Sequence, residues 1–269
     1  MSQPQQHYRH LLSRVVDTPL LLAPAKLDEI LSVLMSDDPT AAARMSAPIQ
    51  PPTSRLSIQG PVGVIDVSGT LVTRRSGLNA MSGLVSYDEM VDAFRAALAG
   101  PSVERILLAI DSPGGEVAGL FELADEIATA PKPVTAIASH HATSAAYLLG
   151  VAAQDGLFAT IGSVVGSVGA VMRHVDATEA DRTAGLRYTN IASGTRKMDL
   201  DPHTSLSVEA IARFKSSMDE LGVMFAAKVA EFRPAGPKTE ELLALQGATY
   251  IGTAALGRGL VDEITTLQA

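Results

Sequence analysis

Ser144 is the residue whose setting best suits nucleophilic chemistry. It lies in HHATSAAYLLG (140–150), where an apolar strand is predicted to end and a helix to begin. The alanines beside it leave room for a substrate, and the positive end of a helix dipole favours a developing alkoxide. A serine at such a junction is also a common N-cap of a helix. On this residue alone, the cap and the nucleophile both remain open.

A serine nucleophile needs a base, and histidine is the first type to consider. His140 and His141 precede Ser144 so closely that their side chains would have to fold back across the turn, which favours a loop position for both. His174 is better placed for a Ser-His-Asp arrangement, although a half-exposed strand residue would look the same. The other histidines lie in the N-terminal arm or in a loop: His7, His10 and His203.

Lysine is the other possible base. Lys197 lies in SGTRKMDLDP (193–202), among small and acidic residues after a predicted strand. A lysine partly desolvated in a cleft can lose its charge near neutral pH and accept a serine proton, whereas a solvated loop lysine would not. Asp199 and Asp201 follow closely, and a carboxylate beside Lys197 would keep the proton on the ammonium unless it points away.

Two glycine-containing turns accompany these residues. DSPGG (111–115) lies between a predicted strand and a helix, so the N–H groups of Gly114 and Gly115 could hold an oxyanion. A plain strand-to-helix turn explains the two glycines equally well. GSVVGSVGAV (162–171) places Ser167 before a predicted strand, where its hydroxyl could orient a neutral lysine or simply be satisfied within a turn.

The elements that would position these residues alternate between strand and helix. Short apolar runs predict strands at 62–69, 104–115, 133–139, 156–160, 169–175 and 186–193. Helical spacing predicts helices at 117–128, 143–153, 176–184 and 207–232. The alternation implies right-handed βαβ crossovers and a mainly parallel sheet. Sites in such sheets form at the carboxyl ends of strands, where the glycine pair and Ser144 both fall.

The N-terminal part has a different character. Residues 1–35 are predicted to be a helical arm, with helices near 8–16 and 25–35, and residues 36–55 a Pro/Ala/Ser-rich linker. A compact domain is expected from residue 56 to residue 269. PLLLAPA (19–25) is too short to span a bilayer, and the polar N-terminus lacks an apolar signal core.

Composition excludes several kinds of function. The 269-residue chain has a formal net charge of −8 and no cysteine, which excludes disulfides and thiolate chemistry. No cluster of Lys and Arg marks a nucleic-acid partner. DSPGG is not a phosphate loop, because no Gly-Lys-Ser/Thr follows it. We therefore expect a cytoplasmic protein without a membrane anchor.

The order of these motifs resembles peptidase family S49, the signal peptide peptidase A group and its bacteriophage relatives. A glycine pair, a serine at a helix start, a Gly-Ser-x-Gly turn and an SG-x-x-K loop follow one another, and YIGTAALGRGLVDEI (250–264) is similar to the family's closing helix and strand. The resemblance covers roughly residue 60 to the C-terminus. It implies a ClpP/crotonase-like α/β fold, peptide-bond cleavage without metal or cofactor, and a homo-oligomeric ring.

The resemblance also implies site residues. Ser144 would be the nucleophile and Lys197 the general base, with Ser167 supporting the lysine and Gly114 and Gly115 lining the oxyanion site. Ser144 is followed by two alanines where many relatives have a glycine, which would alter the pocket.

The N-terminal arm narrows the expected substrate. SRVVDTPLLLAPAKLDEILSVL (13–34) is similar to the start of phage head proteases of the lambda minor capsid protein C type. That likeness implies scaffold or portal substrates, processed in the prohead within the host cytoplasm. Larger phage homologues carry a scaffold-like extension after the protease, whereas this sequence stops at residue 269.

Three alternatives remain open on the sequence. A crotonase-type acyl-CoA enzyme would use carboxylates such as Glu116 or Glu122. A non-catalytic capsid assembly protein could retain a protease fold without activity. A Ser-His-Asp protease would use His174 in place of Lys197.

Overall fold

The computed structural model describes residues 12, 15–35, 54–74 and 84–266. Its strands, in chain order, are β1 (Leu20–Leu22), β2 (Leu56–Gln59), β3 (Val62–Ser68), β4 (Thr70–Val72), β5 (Leu84–Ser86), β6 (Arg105–Ser112), β7 (Gly114–Glu116), β8 (Val134–Thr143), β9 (Leu157–Thr160), β10 (Val164–Gly166), β11 (Thr249–Ile251) and β12 (Glu263–Thr265). Its helices are α1 (Pro24–Leu34), α2 (Tyr87–Ala99), α3 (Leu120–Ala128), α4 (Ala145–Val151), α5 (Thr178–Ala184), α6 (Val208–Phe232), α7 (Thr239–Ala244) and α8 (Gly252–Leu256).

A large, mainly parallel sheet forms the centre of the molecule. Its order is β11-β10-β8-β6-β3-β2, with β9 beside β8 and β12 beside β9. The pairs β3–β6, β6–β8, β8–β9, β8–β10 and β9–β12 are parallel, whereas β2 and β11 pair antiparallel at the two margins. The α/β class and the parallel sheet predicted from the sequence are confirmed.

A smaller sheet packs beside the first. Its order is β1-β7-β4-β5, with β4 parallel to both β5 and β7, and β1 antiparallel to β7. β7 follows β6 after a single residue, Pro113, so the chain passes directly from one sheet into the other. This crossing point is the DSPGG turn.

Burial explains why the strands form where they do. In β3 and β6, buried side chains alternate with half-buried ones, as expected for strands that are covered on both faces. Helix α2 begins with a capping box, in which Ser86 Oγ accepts from the Glu89 N–H and Glu89 accepts from the Ser86 N–H. The largest fully buried side chains, Tyr147, Phe94 and Phe225, all come from helices that cover the sheet.

Several predicted elements differ in the structure. The predicted strand 186–193 is wrong, because these residues lie exposed without regular structure. In place of a strand at 169–175 there are only isolated bridges at Val171 and Arg173. β8 extends to Thr143, so His140 and His141 lie in a strand rather than in a loop. Ser167 follows a strand, β10, rather than preceding one.

The N-terminal arm contributes a strand that the sequence did not predict. The helix expected at 25–35 is present as α1, but β1 precedes it and joins the small sheet. The helix expected near 8–16 and the linker at 36–55 lie almost entirely outside the described residues. Among the helices that are described, none combines the length and apolar character needed to cross a membrane.

Candidate active site

Three strand ends meet at one edge of the large sheet. Ser112 of β6 is level with Ala142 of β8, and Thr143 of β8 is level with Gly166 of β10. The residues that follow these ends are therefore neighbours in space: the glycine pair after β6, Ser144 after β8 and Ser167 after β10. The sequence expectation that sites gather at carboxyl ends is met by this register.

Ser144 is held in a strained backbone conformation. Its φ is 57° and its ψ −122°, a region that non-glycine residues rarely occupy and that clusters at functional sites. Its N–H donates to the Gly166 carbonyl (2.8 Å), and its carbonyl accepts from the Tyr147 N–H (2.9 Å). These bonds on both sides fix the residue at the junction between β8 and α4.

The Ser144 hydroxyl does not cap helix α4. Ser144 occupies the N-cap position of α4, but its side chain accepts no hydrogen bond from the helix. Its Oγ is buried and has no hydrogen-bond partner among the described residues. A buried hydroxyl without a partner is costly, so helix capping does not explain this serine.

Helix α4 is anchored beneath the serine by Tyr147. The Tyr147 hydroxyl donates to the Leu260 carbonyl (2.8 Å), and the whole side chain is buried. Burial raises the pKa of Tyr147, with the negative charge of Asp262 adding to the effect and Arg233 opposing it, so the phenol stays a neutral donor. The helix start is thus fixed by the core.

The glycine pair leaves no space for side chains. An ideal Cβ on Gly115 would stand 1.8 Å from the Leu71 carbonyl oxygen, in the neighbouring strand β4. One on Gly114, whose φ is +97°, would stand 2.9 Å from Ser144 Cβ. The Gly114 N–H points back to Ser112 Oγ (3.2 Å), a contact that sequence analysis missed although Ser112 is part of the quoted DSPGG motif. Glycine is required here by close backbone approach.

Ser167 lies beside Ser144 across the β10 end. It is buried, has the same φ of 57°, and donates its N–H to the Ala248 carbonyl (2.9 Å). The structure therefore brings together four of the five predicted site residues: Gly114, Gly115, Ser144 and Ser167.

Lys197 is the fifth, and no hydrogen bond joins it to any of the other four among the described residues. It belongs to a short 3-10 helix (Thr195–Met198) and is exposed, and it makes no hydrogen bond to Ser144 Oγ. The carboxylates that follow it point elsewhere: Asp199 pairs with Arg213, and Asp201 accepts from Asn190 and Thr204. Neither aspartate forms an ion pair with Lys197 among the described residues.

The histidines form pairs with aspartates instead of with Ser144. His140 and His141 both face Asp111, at 3.5 Å and 3.4 Å, and His203 bonds Asp181 at 2.7 Å. His174 Nδ1 lies 2.8 Å from Asp17, while its buried Nε2 has no partner among the described residues. None of them is hydrogen-bonded to the Ser144 hydroxyl.

The carboxylates of the acyl-CoA alternative are used elsewhere or exposed. Glu116 is buried and accepts the Thr73 N–H (2.6 Å), and Glu122 is exposed on α3. Across the described ranges, no three His, Cys, Asp or Glu side chains are grouped so that they could hold a metal ion.

Two phage proteins are similar to this chain over nearly its full length. Capsid assembly protease C of Escherichia phage lambda is 32% identical over 98% of this chain and 64% of its own length. Head-tail preconnector protein GP5 of Enterobacteria phage P21 is 31% identical over 97% of this chain and 56% of its own length. The chain thus spans less than two thirds of each relative.

A solved structure and a family description complete the comparison. The crystal structure of an enoyl-CoA hydratase/isomerase family member superposes with a TM-score of 0.42 and 13% identity, over 78% of this chain and 69% of that one. Peptidase family S49 matches residues 126–269, which include Ser144, Ser167 and Lys197. The chain belongs to peptidase family S49.

Proposed function

We propose that this protein is a serine endopeptidase in which Ser144 attacks the scissile carbonyl. The observation that carries the proposal is the Ser144 hydroxyl: it is buried, strained into position and bonded to nothing among the described residues. Strain of this kind, at the start of a helix and beside a glycine turn, is typical of a nucleophile. Family membership gives the reaction class, peptide-bond hydrolysis.

The amide groups of Gly114 and Gly115 would stabilise the tetrahedral oxyanion. Gly114 now donates to Ser112 Oγ, and the substrate oxygen would take over that bond. Loss of one such donor typically removes about 3–4 kcal/mol of transition-state stabilisation. Neither step needs a metal or a cofactor.

Lys197 would act as the general base, supplied by a neighbouring copy of the chain. The exposed segment 185–206 carries Lys197 together with three apolar side chains, Leu186, Tyr188 and Ile191, that are 54%, 49% and 96% exposed. Apolar side chains grouped in this way are typical of a surface that another protein covers. In a homo-oligomeric ring the segment would reach the next subunit, where Lys197 takes the Ser144 proton, held by Ser167, and later protonates the leaving amine.

The substrates would be capsid proteins, with scaffold or portal as the leading candidates, in the phage prohead or the host cytoplasm. The names of the two phage relatives support this assignment. Nucleic acid is not expected as a partner, because the chain has a net charge of −8.

Proteolysis of an unfolded test protein and of a co-expressed scaffold tests the proposal. The wild type should cut both, and Ser144→Ala should lower the rate by about 10⁶-fold while its melting temperature stays close to that of the wild type. Ser163→Ala is the matched control, because Ser163 is equally buried but donates to the Thr160 carbonyl outside the site. A wild-type chain that cuts neither protein would favour the non-catalytic assembly protein.

A further inference from the structure

The Ser144 side chain is buried close to the protein's own N-terminal segment. Ser144 is 0% exposed, although a nucleophile for polypeptides must meet a carbonyl from outside. A Cβ added to Gly114 would lie 2.9 Å from Ser144 Cβ and 2.2 Å from the Leu21 carbonyl oxygen. The backbone of β1 therefore lies against the oxyanion glycine and near the nucleophile.

β1 is hydrogen-bonded as a strand on both of its sides. On one side it pairs antiparallel with β7, in the register Leu20↔Glu116 to Leu22↔Gly114. On the other side Leu20 exchanges both backbone hydrogen bonds with Val171, each 2.9 Å long. A polypeptide added to a sheet edge is held in the same way, by main-chain bonds along an extended segment.

The side chains of β1 divide between two cores. Leu21 belongs to the main hydrophobic core of the peptidase domain and is fully buried there. Its neighbours Leu20 and Leu22 pack instead against helix α1, in a small separate cluster with Leu27 and Leu31. The domain thus offers one aliphatic pocket to this strand, at the position of Leu21.

Residues 15–35, which we call the strap, are attached to the domain by few contacts. Besides the two main-chain ladders, the contacts include Leu21 in the main core, the small cluster, which also touches Val171, and two side-chain pairs, Asp17 with His174 (2.8 Å) and Asp28 with Arg173 (2.7 Å). The second pair is solvent-exposed, and exposed pairs contribute little. A unit held in this way can open without unfolding the domain.

We propose that β1 occupies the groove in which this chain binds its substrate, and that the substrate enters as an antiparallel strand beside β7 with an aliphatic side chain in the Leu21 pocket. This inference rests on the proposed peptidase function. The strap is then a resident competitor that must leave before another polypeptide can reach Ser144. Side chains at the Leu20 and Leu22 positions are selected more weakly, because their cluster lies mainly within the strap and touches the domain at Val171.

A reversible disulfide that holds the strap in place tests whether β1 competes with the substrate. Leu20 and Val171 form a hydrogen-bonded antiparallel pair, whose Cα atoms lie about 5.5 Å apart, a separation that suits a disulfide. The chain has no cysteine of its own, so Leu20→Cys with Val171→Cys can form only this bond within a chain. Oxidised, the double variant should cut an unfolded protein at least about tenfold more slowly than when reduced. Equal rates in a chain shown to be cross-linked would overturn the proposal.

Release of the strap should have the opposite effect. Leu27→Asp places a carboxylate in the small cluster, which is unfavourable, and leaves the main core untouched. The cutting rate should rise several-fold over that of the wild type. Val171→Cys alone, treated with the same oxidant, controls for side effects of oxidation. A Leu27→Asp chain that stays folded but cuts more slowly than the wild type would show that the strap is part of the active structure.

A binding measurement separates this inference from the peptidase proposal. In full-length Ser144→Ala, an acetylated peptide with the sequence of residues 18–23 is added at about millimolar concentration, comparable to that of a short tethered segment. Hydrogen exchange at the Leu20 and Ala23 amides should rise as the peptide displaces β1, whereas a peptide with Asp at the Leu21 position should have no effect. Unchanged exchange would overturn the inference even if the wild type proved to be an active protease.

Discussion

The two halves of the proposed dyad lie in regions that are built differently. Ser144 stands where buried strand ends meet, and its backbone is bonded on both sides within the core. Lys197 stands in a long exposed segment, held mostly by side-chain hydrogen bonds at the surface. In the proposed dyad, one chain would position the nucleophile by itself, whereas the base would depend on a surface that another molecule covers.

After the Ser144→Ala variant, the largest expected effect is that of changing Lys197. Lys197→Met should lower the cutting rate about a thousandfold, the usual contribution of a general base. It should leave the melting temperature unchanged, because the side chain is exposed and unpaired within the described residues. Rate measurements with His174→Ala complete the comparison: if this variant loses activity and Lys197→Met keeps it, the base is the histidine.

Mixing the two inactive variants tests whether the Ser144 and Lys197 of one site come from two different subunits. If Ser144 and Lys197 of different chains form each site, refolding equal amounts of Ser144→Ala and Lys197→Met together should restore about a quarter of the wild-type sites. Variants kept apart should stay inactive. Activity that does not return on mixing, while each variant assembles normally, would place both residues in one chain.

The backbone around Ser144 is closely packed, so adding a single methyl group there should strongly lower the free energy of unfolding. Gly115→Ala should lower the free energy of unfolding by about 3 kcal/mol, because the new Cβ would stand 1.8 Å from a backbone oxygen. Gly162→Ala, where nothing lies within 4 Å of the added atom, should change stability by no more than about 0.5 kcal/mol. Denaturant unfolding of both variants measures the difference; equal stabilities would mean that β7 and β4 can separate freely.

The smallest expected effect is a loss of stability at acidic pH in the segment 185–206, which carries Lys197. Hydrogen bonds from Ser205 and Thr178 lower the pKa of Asp176 to about 2. The folded pKa lies below the usual value, so the ionised carboxylate stabilises the segment above about pH 4, and this contribution is lost as the pH falls toward 2.

Pepsin cleavage within residues 185–206 measures this effect. Asp176→Asn should be cut faster than the wild type near pH 4, and the difference should disappear near pH 2. Asp219→Asn, which breaks an exposed pair with Lys215 on α6, is the control and should match the wild type. An Asp176→Asn chain that is as resistant as the wild type at pH 4 would mean that other contacts hold the segment.

The local sequence pattern was sufficient to predict an element where the element is buried by its immediate neighbours. The apolar runs that became β3 and β6, and the stripe that became α6, lie close to their predicted bounds. Gly114, Gly115 and Ser144 were proposed as site residues in the same way, since strand ends and glycine turns are local signals. Their approach to one another follows from the parallel register.

The local sequence pattern failed where pairing with distant segments decides whether a strand forms. Residues 186–193 have side chains typical of a strand, yet no strand in the described part of the chain pairs with them, and Ile191 is almost fully exposed. β1 has only three residues, and its strand conformation comes from β7 and Val171, which lie far along the chain. Spacing in a sequence carries no information on such long-range pairings.

The position of β1 has a further consequence for how the protein behaves in concentrated solution. β1 is the outer strand beside β7, so its departure would leave β7 as a bare sheet edge, with unpaired backbone groups next to an aliphatic pocket. Such edges recruit strands from other molecules and promote aggregation. The three leucines of β1 therefore protect the protein against self-association for as long as no other strand takes their place.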